Sequence, residues 1–221
     1  MIHPSNNQFR AERENMVAFQ LRARGIRDER VLTAMEAVPR HLFVPEQFQS
    51  RAYEDHPIPI GMDQTISQPY IVAVMLQALA LTPSDRVLEV GTGSSYVTAL
   101  LCELVDSVYS VERHPTLLDQ AQQRLEDLEC KNAILLVADG TRGLPQFAPF
   151  DAILVSAAAI SLPIALFDQL REGGRLIAPI GPPEAQELKL ITKRNGTQVI
   201  SRLDPCRFVP LISEPEFEGQ N

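Results

Sequence analysis

The apolar positions along the chain follow first a helical, then no, then a mixed rhythm. From Asn15 to Gly25, Met16, Val17, Phe19 and Leu21 stand among arginines and Gln20, the pattern of a short amphipathic helix closed by Gly25. Val31, Leu32, Met35 and Val38 repeat the spacing behind Asp28, a preferred N-cap, and Pro39 ends the run. Arg40 to Pro69 has no period and carries prolines 45, 57, 59 and 69 with Gly61; so irregular a segment suits a binding loop. Beyond it short β-branched runs alternate with helical ones, the order of a parallel sheet with helices on both faces. Strands are predicted at Arg86 to Val90, Ser107 to Val111, Ala133 to Val137, Ala152 to Val155 and Arg175 to Ile180. Helices are predicted at Tyr96 to Leu104, Thr116 to Leu128 and Pro163 to Leu170, the last ended by Gly173 and Gly174. Two more strands, about Glu187 to Lys193 and Thr197 to Val209, flank Asn195-Gly196, a hairpin signal, and should pair antiparallel at one side. The expected fold is α/β and Rossmann-like: a mostly parallel twisted sheet, extra N-terminal helices and an antiparallel C-terminal hairpin.

Composition narrows the partners. With 221 residues, 45% hydrophobic and 22% charged, the chain can bury a core without staples. Cys102, Cys130 and Cys206 are odd in number and scattered, which argues against a disulfide framework and a zinc site. His3, His41, His56 and His114 have no ligand spacing, so no metal is expected. A net charge of −8 repels phosphate backbones, so nucleic acid is not an expected partner. The N-terminal stretch lacks an apolar leader, and the longest apolar run, Tyr70 to Leu81, is broken by Gln77 and falls short of the roughly 18 residues a span requires. A cytoplasmic location without membrane attachment is the expectation.

The sharpest motif is Val87-Leu88-Glu89-Val90-Gly91-Thr92-Gly93-Ser94-Ser95-Tyr96, a buried strand running into a glycine turn and a helix. Open α/β sheets bind ligands at that point. A dinucleotide site wants a third glycine where Tyr96 stands, which disfavours NAD. S-adenosylmethionine needs instead a turn its amino-acid end can approach, an acid for its ammonium and an acid for its ribose. Gly91 and Gly93 provide the first, Glu89 and Glu112 are candidates for the acids, and Asp139-Gly140 falls where the adenine edge would lie. The bland alternative is that the glycines only turn the chain and the acids are solvated strand ends; the register of three acids at successive strand tips favours the ligand.

The irregular segment holds Pro57-Ile58-Pro59-Ile60-Gly61-Met62-Asp63-Gln64-Thr65-Ile66-Ser67-Gln68-Pro69-Tyr70. Together with the glycine turn, Leu42-Phe43-Val44-Pro45, Asp139-Gly140, Gly173-Gly174-Arg175-Leu176 and Arg207-Phe208-Val209-Pro210-Leu211, it resembles the protein-L-isoaspartate O-methyltransferase family from about Leu21 to Leu211. The resemblance implies a class I methyltransferase that uses S-adenosylmethionine, yields S-adenosylhomocysteine, and methylates isoaspartyl residues of damaged proteins. It implies Ser67 as the active-site residue. Gln64, Thr65, Ile66, Glu89, Gly91, Thr92, Gly93, Ser94, Glu112, Asp139 and Gly140 are implied at the cofactor, and Ile58, Ile60, Gly61 and Val209 at the substrate. The expected organisation is N-terminal helices with a substrate-binding segment at 1–80, the cofactor core at 81–212 and a frayed tail at 213–221, within one compact unit taken to be monomeric.

Chemistry supports Ser67: the acceptor carboxylate, with a reference pKa of about 3.9, is already ionised and requires positioning more than a base. A hydroxyl holding one carboxylate oxygen leaves the other to attack. The alternative role for Ser67 is an N-cap for the helix opened by Gln68-Pro69. The chain departs from the family pattern at Ser95, at Met62-Asp63 and at Pro205-Cys206. Serine is expected to be tolerated in the first turn of a helix, whereas Asp63 would oppose an anionic acceptor unless it faces solvent. A base methyltransferase would show Pro-Pro-Tyr or Pro-Pro-Phe after the fourth strand, where this chain has Ser156-Ala157-Ala158-Ala159. Two rivals remain: a specialised methyltransferase of the same fold, and an inactive cofactor-binding module.

Overall fold

The computed structural model of the chain describes residues 9–213. Of the acidic tail, Glu214 onward lies outside the described residues. Helix α1 (Arg10–Asn15) begins earlier than the apolar pattern predicts and runs on without a break as a π-helical turn, Met16–Leu21, and a 3₁₀ turn, Arg22–Arg24. The wider π winding keeps Met16, Val17 and Leu21 all buried, and Gly25, at φ 104°, stops the helix as expected. Asp28 caps α2 (Glu29–Ala37) by accepting from Arg30 N and Val31 N.

The irregular segment contains more order than its composition suggests. Strands β1 (Ile58–Gly61) and β2 (Gln64–Ile66) form a separate antiparallel hairpin, with Ile58 opposite Ile66. Its turn rests on Met62 and Asp63, both left-handed at φ 51° and 55°, a conformation that asparagine and glycine usually signal. Helix α3 (Pro69–Leu79) follows, and its N-cap is Gln68, so Ser67 does not cap it.

The remaining elements are β3 (Arg86–Val90), α4 (Tyr96–Leu104), β4 (Ser107–Glu112), α5 (Pro115–Asp127), β5 (Ala133–Val137), β6 (Phe150–Val155), α6 (Ile164–Asp168), β7 (Leu170–Ile180), β8 (Gln186–Arg194) and β9 (Thr197–Cys206). They build a seven-stranded sheet in the order β5-β4-β3-β6-β7-β8-β9. The first five pair in parallel, and β8 and β9 close one side antiparallel. The hairpin turn at Asn195-Gly196 forms as predicted, at φ 51° and 70°.

Strand alternation feeds two cores, which is why the central strands read as unbroken apolar runs. Val87, Ala152, Leu154 and Ile177 face a layer that includes residues of α2, α3 and α4 and the N-terminal turns. Leu88, Val90, Ile153, Val155 and Leu176 face Leu166 and Phe167 of α6.

Two boundary expectations are corrected. Gly173 and Gly174 do not end a helix: they lie within β7, where pairing jumps from Phe150–Leu170 to Ala152–Arg175 and the extra residues bulge out at Gly173, φ 76°. The last strand stops at Cys206 rather than Val209. Gln186 then replaces the ladder, its Oε1 accepting from Phe208 N (2.7 Å), and the chain crosses to the tip of β6, where Ala158 N donates to Val209 O and Leu211 N to Ala158 O, both at 2.7 Å.

Candidate active site

The order of strands reverses between β3 and β6, and their carboxyl ends open a crevice there. Gly91 and Gly93 adopt φ 94° and 51°, so the chain turns sharply off β3 and carries its backbone amides around the crevice floor. A side chain at Gly91 would come to 3.4 Å from the Ser156 side chain, and one at Gly140 would collide with Val90 at 2.6 Å. Both glycines therefore keep space at the strand tips.

Glu112, at the end of β4, organises the loop. Its Oε2 accepts from Gly93 N (2.9 Å), and its Oε1 from Arg113 N (2.9 Å) and His114 N (3.0 Å). A carboxylate has about four acceptor sites, so capacity remains for a ligand hydroxyl. Thr92 Oγ1 lies 2.6 Å from Ser110 Oγ, anchoring the loop to β4, and Ser94 Oγ accepts from Tyr96 N (3.3 Å). Ser95 is the N-cap of α4 in left-handed conformation, φ 67°, and its hydroxyl gives no capping bond. The expectation of an ordinary first-turn serine is thus corrected: the position favours glycine.

Glu89 belongs to a different layer. Strand parity turns it away from the crevice, wholly buried, where its Oε2 accepts from Thr98 Oγ1 and Ser110 Oγ, both at 2.6 Å. Burial pushes its pKa up to about 7, against the hydrogen bonds from Ser110 and Thr98, and Glu112 adds to the rise. Glu89 supports the loop from beneath and is not among the residues lining the crevice.

Asp139 also acts from behind. Its Oδ1 accepts from Thr141 N (2.9 Å) and Thr141 Oγ1 (2.7 Å), capping the turn Gly140–Arg142, while Ser213 donates to its Oδ2. Gly140 itself borders the crevice.

Three adjoining clefts fill the space above the strand tips. The widest, about 720 Å³ and open to solvent, includes Asp63, Gln64, Gly91, Glu112, Arg113 and Gly140 in its lining. The middle one lies among Gln64, Thr65, Ile66, Ser67, the turn Gly91–Ser94 and Glu112. The third runs past Ser67 to Ile71, Ser156, Arg207 and Phe208. Val209 lines all three, because the segment after β9 crosses over them. Ser67 stands at the junction of the middle and third clefts, and its hydroxyl has no hydrogen-bond partner among the described residues.

Three of the four expected substrate residues are not among the cleft linings. Ile58 is in the core, 1% exposed, because hairpin parity points it inward with Ile66. Ile60 packs against Gly93, and Gly61 is exposed at the end of β1; none of the three lines a cleft. Arg207 and Ser156, quoted in the sequence reading without a site role, do. Arg207 is the charged side chain of the third cleft's lining. In the sequence Arg207 appears only as the first residue of Arg207-Phe208-Val209-Pro210-Leu211, between prolines 205 and 210, with no spacing that gives it a site role.

The family model described as protein-L-isoaspartate(D-aspartate) O-methyltransferase matches residues 11–216. The chain is 53% identical over 211 residues to the protein-L-isoaspartate O-methyltransferase of Methanoculleus marisnigri, with 96% of each chain covered. Against that of Koribacter versatilis it is 51% identical over 214 residues, covering 97% of this chain and 96% of the relative. A solved protein-L-isoaspartate O-methyltransferase superposes with TM-score 0.82 at 30% identity, over 90% of this chain and 65% of that one. A Plasmodium falciparum protein, described as a candidate member of the same enzymes and solved with S-adenosyl-L-homocysteine, gives TM-score 0.81 at 30% identity over 91% and 99%.

Proposed function

The chain belongs to the protein-L-isoaspartate(D-aspartate) O-methyltransferase family, and from that premise we propose how its own residues carry methyl transfer from S-adenosylmethionine to the free carboxylate of isoaspartyl residues in damaged proteins. The observation that carries the assignment of roles is that the middle cleft, lined by both Ser67 and the Gly91–Ser94 turn, adjoins the third cleft at Ser67 and the widest at Gly91, with Val209 lining all three.

The residues present fit the cofactor. Gly91 and Gly93 hold backbone conformations that leave room for close approach, and Glu112 retains acceptor capacity beside the widest cleft, which Gly91 and Gly140 also line. Gln64, Thr65, Ile66, Thr92, Ser94 and Gly140 would complete its surround, with Glu89 and Asp139 holding the loops that touch it. When bound, S-adenosylmethionine supplies a methyl group made electrophilic by its sulfonium.

Ser67 orients the acceptor. Its unpartnered hydroxyl donates to one carboxylate oxygen and leaves the other free to attack, and no general base is needed because a carboxylate of pKa about 3.9 is already ionised. Arg207 offers the acceptor side a positive charge in a protein of net charge −8. Ile71, Phe208 and Val209 give the same cleft an apolar wall. Asp63, the departure expected to oppose an anionic acceptor, is exposed at the hairpin turn and borders the widest cleft rather than the acceptor side.

We also read the protein as a cytoplasmic monomer that does not bind nucleic acid. Supporting this, one chain supplies all three clefts, and the net charge is −8. No described helix is long and apolar enough to cross a membrane.

Labelled cofactor offered with matched isoaspartyl and aspartyl peptides tests the reading. Base-labile label should appear in the isoaspartyl peptide alone, and Ser67→Ala should lower kcat by about 10²-fold, the scale of a misplaced reactant. Equal labelling of both peptides would contradict the substrate assignment. A fully active Ser67→Ala would contradict the role of Ser67.

A further inference from the structure

We propose that Arg40 is the positioning residue for Ser67, its buried guanidinium fixing the backbone from which the acceptor-binding hydroxyl projects. This rests on the reading of Ser67 given above.

Arg40 is 0% exposed, and among the described residues no carboxylate forms an ion pair with it. Burying an unpaired charge is expensive, and an apolar side chain of similar volume would serve packing better. The polar contacts therefore explain the residue. Nε donates to Ala52 O at 2.7 Å and Nη2 to Ser67 O at 2.8 Å.

The second contact fills a gap the chain creates. Ser67 follows the end of β2 and precedes α3, whose first intrahelical acceptor is Gln68 O, reached by Val72 N at 3.3 Å. The Ser67 carbonyl thus belongs to neither the hairpin ladder nor the helix. A part-buried carbonyl so placed is left without a backbone partner, and Arg40 supplies a donor. The fork geometry of a guanidinium serves two carbonyls at once, which a single ammonium on a flexible stem does less well.

Arg40 also reaches the cofactor side. Its Cζ stands 4.9 Å from the ring centroid of Tyr96, the first residue of α4 after the glycine turn, and Phe43 packs edge-on to the same ring at 5.4 Å. Nη1 and the Tyr96 hydroxyl are both buried without a hydrogen-bond partner among the described residues, and the guanidinium lies over the Tyr96 ring. Burial lowers the pKa to about 10, which keeps the group charged at neutral pH. One side chain thereby links the acceptor segment to the helix that begins at the cofactor loop.

The test is a double-mutant cycle of Arg40→Lys with Ser67→Ala, reading kcat and KM for an isoaspartyl peptide and S-adenosylhomocysteine affinity by calorimetry. Arg40→Lys should bind S-adenosylhomocysteine within about threefold of wild type yet lose about tenfold in kcat/KM, and the same change should cost under about twofold once Ser67 is alanine. Arg40→Met, lacking fork and charge, should lose more by the same route; its failure to fold would leave the lysine cycle to decide. The proposal is overturned if the two losses simply multiply, if Arg40→Lys weakens S-adenosylhomocysteine and kcat/KM in equal proportion, or if it is as active as wild type. Full activity of Ser67→Ala alone would instead remove the reading of Ser67 on which this one stands.

Discussion

At the scale of single residues the site is decided by which way each carboxylate faces. Glu89 and Glu112 sit at the ends of neighbouring parallel strands, yet one is sealed beneath the glycine turn and the other borders the crevice. Sequence spacing located both acids but assigned both to the cofactor, because it does not reveal that Thr98 and Ser110 close over Glu89. The burial of Glu89 predicts a pH effect. Its folded pKa, about 7, is raised above the unfolded value near 4.5, so its contribution to stability is fully present below the unfolded value and is lost as pH rises through the folded one. Glu89→Gln abolishes that loss. The melting temperature of the variant relative to wild type should therefore climb between pH 5 and pH 8, the difference corresponding to at most about 3 kcal/mol. A constant difference across that window would show that Glu89 ionises normally.

At the scale of elements, two short turns show when local sequence suffices. Asn195-Gly196 and Met62-Asp63 both place successive residues in left-handed conformation. Only the first has the residues that announce it, and only the first was predicted. The second forms because Ile58 and Ile66 bury together on either side of it, a tertiary demand that overrides turn preference. The turn into α4 carries the same tension, since Ser95 holds φ 67° without a capping bond to offset it. Ser95→Gly should relieve strain of about 1 kcal/mol, raising the melting temperature by about 2 to 4 °C. S-adenosylhomocysteine affinity should stay the same, since Ser95 is not among the cleft linings. A lower melting temperature would mean that the Ser95 hydroxyl, which donates to Ser94 O at 2.5 Å, stabilises more than the backbone strain removes.

At the scale of the whole molecule, the charge of −8 works against an anionic acceptor while Arg207 works locally for it. Isoaspartyl peptides flanked by lysine should therefore show higher kcat/KM than those flanked by glutamate. The gap should narrow as salt rises toward 1 M, where the screening length is about 3 Å. A gap indifferent to salt would assign the preference to contact rather than to the overall field. The N-terminal turns share a core with the sheet, Met16 and Leu21 lying in one cluster with Val87 and Leu154. We accordingly propose that residues 9–80 and 81–212 melt as one unit.

The sequence by itself determined the order of strands and helices from Arg86 onward, the glycine turn after the first sheet strand and the positions of the acids. Those features obey rules local to a few residues: alternation along a strand, the helical repeat, and the freedom of glycine at positive φ. Only the tertiary structure decided that Glu89 is sealed, that the segment after Cys206 leaves the sheet for Ala158, and that Arg40 lies under Ser67, 27 positions away. Each of these depends on the register between distant strands and on what packs above them. That register is set by burial of the whole core, which no window of neighbouring residues contains.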